Sequence, residues 1–267
     1  MSKLQKKLKI LSRQIDTDGI YIPPGSDYRV RGGITGQCLL CGTVKPLRLG
    51  HIVPRWLYKW VKREGKIIGD YKTLKICAEE QDGRKHYLLC DSCEQFFGEA
   101  EAYVALLQDE DLQHKWPAVG LRQIKQNLIE GINYDLVLRF LLGVAFKAHH
   151  AESAPYHTIT FSRGFYRDII QSFRGEEAVV KFLIVAMRFY CKVSPDIEPR
   201  ALVYLQRNYY KGLGETLAIL AGGWEWLLIR RNKEIGLPFV EIADIIIRPG
   251  QPAFIPWGEI TDHRFVK

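Results

Sequence analysis

Two Cys-x-x-Cys pairs constrain this chain more than any other feature. They are Cys38-Leu39-Leu40-Cys41 and Cys90-Asp91-Ser92-Cys93, with 48 residues between them. Thiolates are soft ligands, and four of them arranged as a tetrahedron suit a zinc ion and leave it no open position. Such an ion is structural, and its binding is coupled to folding. The competing readings are free buried cysteines or a redox pair. Disulfides are the weaker expectation. The charged start Met1-Ser2-Lys3-Leu4-Gln5-Lys6-Lys7 is followed by no long apolar run and does not read as a secretory leader. Thr216 to Ile229, the most apolar stretch, is too short for a membrane span and contains Glu225. The expectation is therefore a cytoplasmic protein that does not enter a membrane. Cys77 and Cys191 stand alone.

The pairs divide the chain. Residues 1–36 read as a basic arm and linker. Lys3, Lys6, Lys7, Lys9 and Arg13 lie in the first 13 residues with no acid, on either a short amphipathic helix or a flexible arm. Pro23, Pro24, Gly25, Gly32, Gly33 and Gly36 follow, which is loop chemistry. Residues 37–107 form a compact zinc-binding module. Gly42 suits the turn of a zinc knuckle, Leu47 to Pro54 reads as a strand, and Pro54 opens a helix from Arg55 to Arg63. Residues 65–87 read as irregular. A helix starts at the second pair and runs to about Leu107, with Phe96, Phe97, Ala100, Tyr103, Val104 and Leu107 as its apolar stripe.

Residues 108–267 read as a separate α+β domain of unknown role. Helices are expected over Asp135 to His150 and Phe161 to Phe173. Strands are expected over Val179 to Tyr190, Ala201 to Tyr210, Thr216 to Arg230 and Phe239 to Arg248, with a bulge or bend at Gly222-Gly223. The fold class is thus α+β, and 267 residues suffice for a substantial core.

Charge points to a polyanionic partner, since the formal net charge is +8. It is polarised within the module. Residues 45–75 hold nine Lys or Arg against Glu64 and Asp70, a net +7, whereas residues 76–104 hold seven acids against Arg84 and Lys85, a net −5. A basic segment beside an acidic one suits a phosphate backbone held next to a divalent cation. On the helix expected after Pro54, Arg55, Lys59 and Lys62 share a face for phosphate contact, while Trp56 and Trp60 pack inward. His149 and His150 with Glu152 suggest either a metal site or a polar helix end.

Between the pairs stands Gly50-His51-Ile52-Val53-Pro54, and directly after the second pair stands Glu94. With Gln81-Asp82-Gly83-Arg84-Lys85 and Leu89-Cys90-Asp91-Ser92-Cys93-Glu94, this arrangement resembles the HNH, or ββα-metal, nucleases built on a treble-clef zinc scaffold, and within them a bacterial and phage subgroup. The resemblance covers residues 37–104. It implies a nuclease acting on DNA, with His51 as general base and Glu94 holding a magnesium or manganese ion, next to a structural zinc on Cys38, Cys41, Cys90 and Cys93. Arg55, Lys59, Lys62 and Lys85 would contact nucleic acid. Glu101, seven residues beyond Glu94 and on a similar helix face, would support the metal or orient the helix. His86 and Asp82 fall near the family's middle residue. The plainer reading of Glu101, His86 and Asp82 is solvated surface. A role in phage defence also follows from the resemblance, and the C-terminal domain is expected to bind a partner protein, a guide complex or a regulator.

The chain departs from the family pattern at three places. Gly50 replaces the usual acid before the histidine, Lys85 and His86 stand where an Asn is expected, and Glu94 replaces the final His or Asn. The rival expectation is a non-catalytic zinc module that binds nucleic acid or protein, including as a structural subunit of a larger complex.

Overall fold

The computed structural model describes residues 27–29, 33–58, 68–70, 75–76, 83–108, 122–125, 128–152, 156–175, 181–191, 203–210, 214–231, 246–251, 253–254 and 257–260. The basic arm, Lys59, Trp60, Lys62, Asp82 and most of Phe239 to Arg248 lie outside them.

The first sheet is antiparallel, with β1 (Asp27–Arg29), β2 (Gly33–Gln37), β3 (Val44–His51) and β6 (Lys85–Cys90) in that spatial order. Its first two strands fall in the stretch expected to be linker. Glycine permits a strand where pairing supplies the missing stabilisation, and β2 runs against β3 from Ile34↔Leu47 to Gln37↔Val44 with Ile34 buried. The β2–β3 turn carries the first cysteine pair. Cys38 N donates to Thr43 O at 2.9 Å, Gly42 N donates to Cys38 O at 2.8 Å, and Gly42 adopts φ 73°, which a side chain would strain. The stretch expected to be irregular holds a two-stranded ribbon, β4 (Ile68–Asp70) with β5 (Lys75–Ile76), before β6 begins. Pro54 does open a helical turn, and the described part of it is a short 3-10 helix, Arg55–Tyr58.

Strand β6 runs directly into α1 (Asp91–Gln108), so Cys90 ends a strand and Cys93 sits in the first helical turn. Asp91 and Glu94 in that turn face the positive end of the helix dipole. Of the expected apolar stripe of α1, Phe97, Ala100, Tyr103, Val104 and Leu107 are buried, whereas Phe96, one position off that face, is exposed. The helix packs on α2 (Tyr134–His150), which Asn133 caps by accepting from Leu136 N at 3.1 Å. Helix α3 (Arg163–Phe173) is capped in the same way by Ser162, which accepts from Phe165 N at 3.2 Å.

The ribbon β7 (Arg122–Lys125) and β8 (Leu128–Glu130) pairs with β14 (Ala253–Phe254). The largest sheet runs β10 (Val203–Tyr210), β11 (Gly214–Ala221), β12 (Trp224–Arg230), β9 (Phe182–Cys191) and β13 (Ile246–Ile247). A final strand, β15 (Trp257–Ile260), pairs parallel with β9. The stretch from Thr216 to Arg230 is a hairpin rather than one bent strand. Gly222 and Gly223 take φ 61° and 79°, and a two-residue turn with both φ positive matches the strand twist and closes β11 tightly onto β12. Strand β11 is buried along its whole length, because it is central and covered. Tyr134 Oη donates to Phe182 O at 3.2 Å, tying α2 to this sheet. One cluster of buried side chains runs without a break from Cys38 to Ala253, so the cysteine-framed segment and the C-terminal segment share a core. Among the described residues no helix is long and apolar enough to cross a membrane.

Candidate functional site

The knuckle turn and the start of α1 bring all four paired cysteines together. Their sulfurs lie within 4.8 Å of one another, and Cys41 Sγ is 3.9 Å from Cys90 Sγ. A zinc–sulfur bond near 2.3 Å gives a tetrahedron with edges of about 3.8 Å. A disulfide needs about 2.05 Å. The cluster therefore has the dimensions of a four-thiolate site able to hold a metal ion such as zinc. Cys38, Cys90 and Cys93 are buried and Cys41 is exposed. Backbone and hydroxyl donors fix the sulfurs: Cys90 N donates to Cys38 Sγ at 3.4 Å, and Thr43 Oγ1 lies 2.9 Å from Cys41 Sγ. The Thr43 contact holds the Cys41 thiol down at about 6, in thiolate territory, whereas burial pushes the Cys93 thiol up. A cation among the sulfurs would remove that second penalty by deprotonating the thiol outright.

Beside the cluster opens a cleft of about 610 Å³. Gly50 and His51 reach it from the end of β3, and Arg55 and Trp56 from the turn after Pro54. Glu94 and Glu101 line it from one face of α1, and Lys147 closes it from α2. The two expected catalytic residues, His51 and Glu94, thus line one cavity, with Arg55 exposed at its edge. Lys85 lies directly across the strand pair from His51 and projects on the same face of the sheet. Lys59 and Lys62 lie outside the described residues.

Glycine at position 50 has a structural explanation. A Cβ added to Gly50 would lie 2.8 Å from the carboxyl carbon of Glu94. The Glu94 carboxylate occupies the space a side chain at position 50 would take, so the acid reaches this part of the cleft from the helix rather than from the strand. Burial raises the Glu94 pKa, Lys147 opposes that shift, and Glu101 adds to it. Glu94 Oε1 is buried and makes no hydrogen bond among the described residues.

Two residues read as solvated surface are not. His86 is 2% exposed, because neighbouring strand positions alternate faces and its side chain turns inward opposite Gly50. Burial, with help from the Arg84 charge, pulls its pKa down to about 4. Glu101 is held by Lys147, whose Nζ donates to its Oε1 at 2.9 Å. Sequence reasoning missed Lys147 altogether. The available signal was a single lysine inside the apolar run Val144-Ala145-Phe146-Lys147-Ala148, on the face that α2 buries. His149 and His150 are not a metal site among the described residues. Phe161 N donates to His149 Nδ1 at 3.1 Å, His150 Nε2 lies 2.9 Å from Tyr166 Oη, and the four cysteines are the group of possible ligands that converges.

Comparison of the chain with protein-family models, with curated proteins and with solved structures finds no match.

Proposed function

We propose that this chain is an HNH-type, metal-dependent nuclease that hydrolyses DNA phosphodiester bonds, built on a treble-clef module whose four cysteines hold a structural zinc ion. The observation that carries the reading is the meeting of His51 and Glu94 in one cleft beside the four-cysteine cluster. The chain path supports the treble-clef assignment: a cysteine knuckle, a strand pair, then a helix whose first turn carries the last cysteine. The anti-phage role that the resemblance suggests belongs to the same proposal.

The cleft residues suit a magnesium or manganese ion in one respect. Glu94 Oε1 is a buried carboxylate oxygen without a hydrogen-bond partner among the described residues, and hard cations favour such an oxygen. When bound, the ion supplies Lewis-acid stabilisation of charge at phosphorus. The protein residues do the rest. His51 takes a proton from the attacking water. Arg55 at the edge of the cleft, with Lys85 across the strand pair from His51, contacts phosphate oxygens and sets the position of the strand.

A second reading keeps the zinc and drops the chemistry: a zinc module that binds nucleic acid or a partner protein. It is favoured by one observation, that among the described residues the four cysteines form a converging group of three or more possible metal ligands and Glu94 belongs to no such group. Plasmid cleavage by the purified chain with added magnesium or manganese separates the two. The nuclease reading expects cleavage that His51→Ala and Glu94→Gln abolish while zinc content stays unchanged. A zinc-loaded wild type that cleaves neither DNA nor RNA leaves the binding module.

A further inference from the structure

Trp56 is an aromatic ring in the wall of the cleft, and the cleavage chemistry gives it no part. It is partly buried and packs on the core against Phe140, which is 1% exposed, with ring centres 6.3 Å apart. The short turn that carries it is anchored. Leu57 N donates to Pro54 O at 3.1 Å, Leu57 and Tyr58 are buried, and the Tyr58 hydroxyl lies 2.8 Å from that of Tyr156. A ring fixed in this way has little side-chain freedom left to lose when a ligand stacks on it. Its neighbour Arg55 is exposed at the edge of the same cleft. Helices α1 and α2 supply Glu101 and Lys147. The two are paired at 2.9 Å, and the Glu101 side chain is 24% exposed where that of Lys147 is 3% exposed. A ligand in the cleft therefore meets a hydrogen-bond acceptor before it meets the ammonium. The formal charges of the lining cancel, Arg55 and Lys147 against Glu94 and Glu101, so a bare anion gains little there. A flat neutral ring with an N–H edge, carried on a phosphate within reach of Arg55, suits the lining better. The volume of about 610 Å³ falls within the range of about 300–1,000 Å³ usual for small-molecule sites.

We propose that the cleft binds one unpaired nucleotide, with its base stacked on Trp56 and donating from its pairing edge to Glu101 and its phosphate on Arg55, so that the nucleic acid this chain engages is single-stranded. Every base carries an N–H at its pairing edge and has a face on which an aromatic side chain can stack. Inside a duplex that face and that edge are already in use, and only an unpaired base offers both. Arg55 and Trp56 are adjacent in one helical turn, as phosphate and base are adjacent in one nucleotide. The place of this site in cleavage rests on the nuclease reading above; the binding of the nucleotide does not.

The test uses the full-length, zinc-loaded protein without added magnesium or manganese, so that binding is read apart from cleavage. Deoxyadenosine monophosphate, deoxyadenosine and deoxyribose 5-phosphate are titrated by calorimetry, and a labelled oligonucleotide, single-stranded or in duplex, by fluorescence anisotropy. The nucleotide is expected to bind about tenfold or more tightly than the sugar phosphate, which has no base to stack, and the single strand to bind about tenfold or more tightly than its duplex. Trp56→Leu keeps an apolar contact with Phe140 but loses the stacking face, and is expected to weaken nucleotide binding about tenfold. Trp56→Phe is expected to stay close to wild type. Arg55→Ala, at an exposed position, is expected to abolish the advantage of the nucleotide over the nucleoside, which keeps the test in force if Trp56→Leu does not fold. Equal affinity for nucleotide and sugar phosphate overturns the proposal. So do wild-type binding by a folded Trp56→Leu, an unchanged phosphate advantage in Arg55→Ala, and a duplex held as tightly as the single strand. Selective nucleotide binding by a wild type that cleaves neither DNA nor RNA once magnesium or manganese is added removes the nuclease reading and leaves the base site standing.

Discussion

Gly50 and Glu94 form a pair in which one residue is small because the other is present. Glycine in a strand interior weakens it, and in this chain the glycine leaves room for the carboxylate that enters the cleft. Gly50→Ala therefore displaces Glu94 without opening the core. Its thermal midpoint is expected to stay within a few degrees of wild type, while any cleavage activity, on the proposed nuclease reading, falls about tenfold or more through misplacement of the carboxylate. Activity and melting measured on the same preparation check both halves. His86 acts on stability instead. Its pKa of about 4 in the folded protein lies below the ordinary 6.5, so the unfolded chain takes up a proton first as pH falls. The stabilisation present above pH 6.5 is lost as pH drops toward 4, and the loss between pH 7 and pH 5 is about 2 kcal/mol. Urea unfolding at those two pH values is expected to show a smaller difference for His86→Leu than for wild type by about that amount. An equal difference in both proteins would place the acid sensitivity elsewhere, with His149 and His150 the next groups to examine, since burial depresses both.

The helices show packing overriding propensity. Gly143 stands in the middle of α2, where alanine is ordinarily favoured by about 1 kcal/mol. A Cβ there would fall 2.6 Å from Cδ1 of Phe97, and that ring is 1% exposed. Phe97 has no room to retreat, because Phe96 and Phe173 each meet it edge to face at 5.2 Å. Overpacking of this kind costs about 1–3 kcal/mol, which outweighs the propensity gain. Gly143→Ala is expected to lower the thermal midpoint, and adding Phe97→Leu to recover part of the loss; a stabilised single variant would show that the helices move apart at small cost. The close approach that Gly143 allows is also what brings Lys147, one turn further along α2, to the carboxylates of α1.

At the scale of the molecule, one buried cluster of described residues runs from Cys38 to Ala253 and joins the cysteine-framed segment to the large sheet. A shared core unfolds as one unit. Trp224 and Trp226 stack at 5.2 Å on β12, far along the chain from the cysteines, and report on that sheet by fluorescence once the other four tryptophans are replaced by phenylalanine. Metal release followed with a chromogenic chelator and tryptophan fluorescence are expected to share one denaturation midpoint, and Cys90→Ser to lower that midpoint while abolishing stoichiometric metal. Two separated transitions would show instead that the segments fold independently.

Local chemistry was legible directly from the residues. The cysteine spacing pointed to the cluster, the apolar periodicity located α1, α2 and α3 to within a few residues, and the motif around His51 and Glu94 named two cleft residues. Each of these is a short-range pattern in which neighbouring residues carry the whole signal. What the patterns missed depends on partners distant in sequence. The glycine-rich stretch became strand β2 because β3 offered a hydrogen-bonded edge and the core took Ile34. The run Thr216 to Arg230 became a hairpin because two adjacent glycines could both take positive φ. Lys147 entered the cleft because α2 packs against α1 through Gly143, 46 positions beyond Phe97. Burial of His86, the space above Gly50 and the pairing of Lys147 with Glu101 are all consequences of which surfaces meet. No window along the chain contains both surfaces.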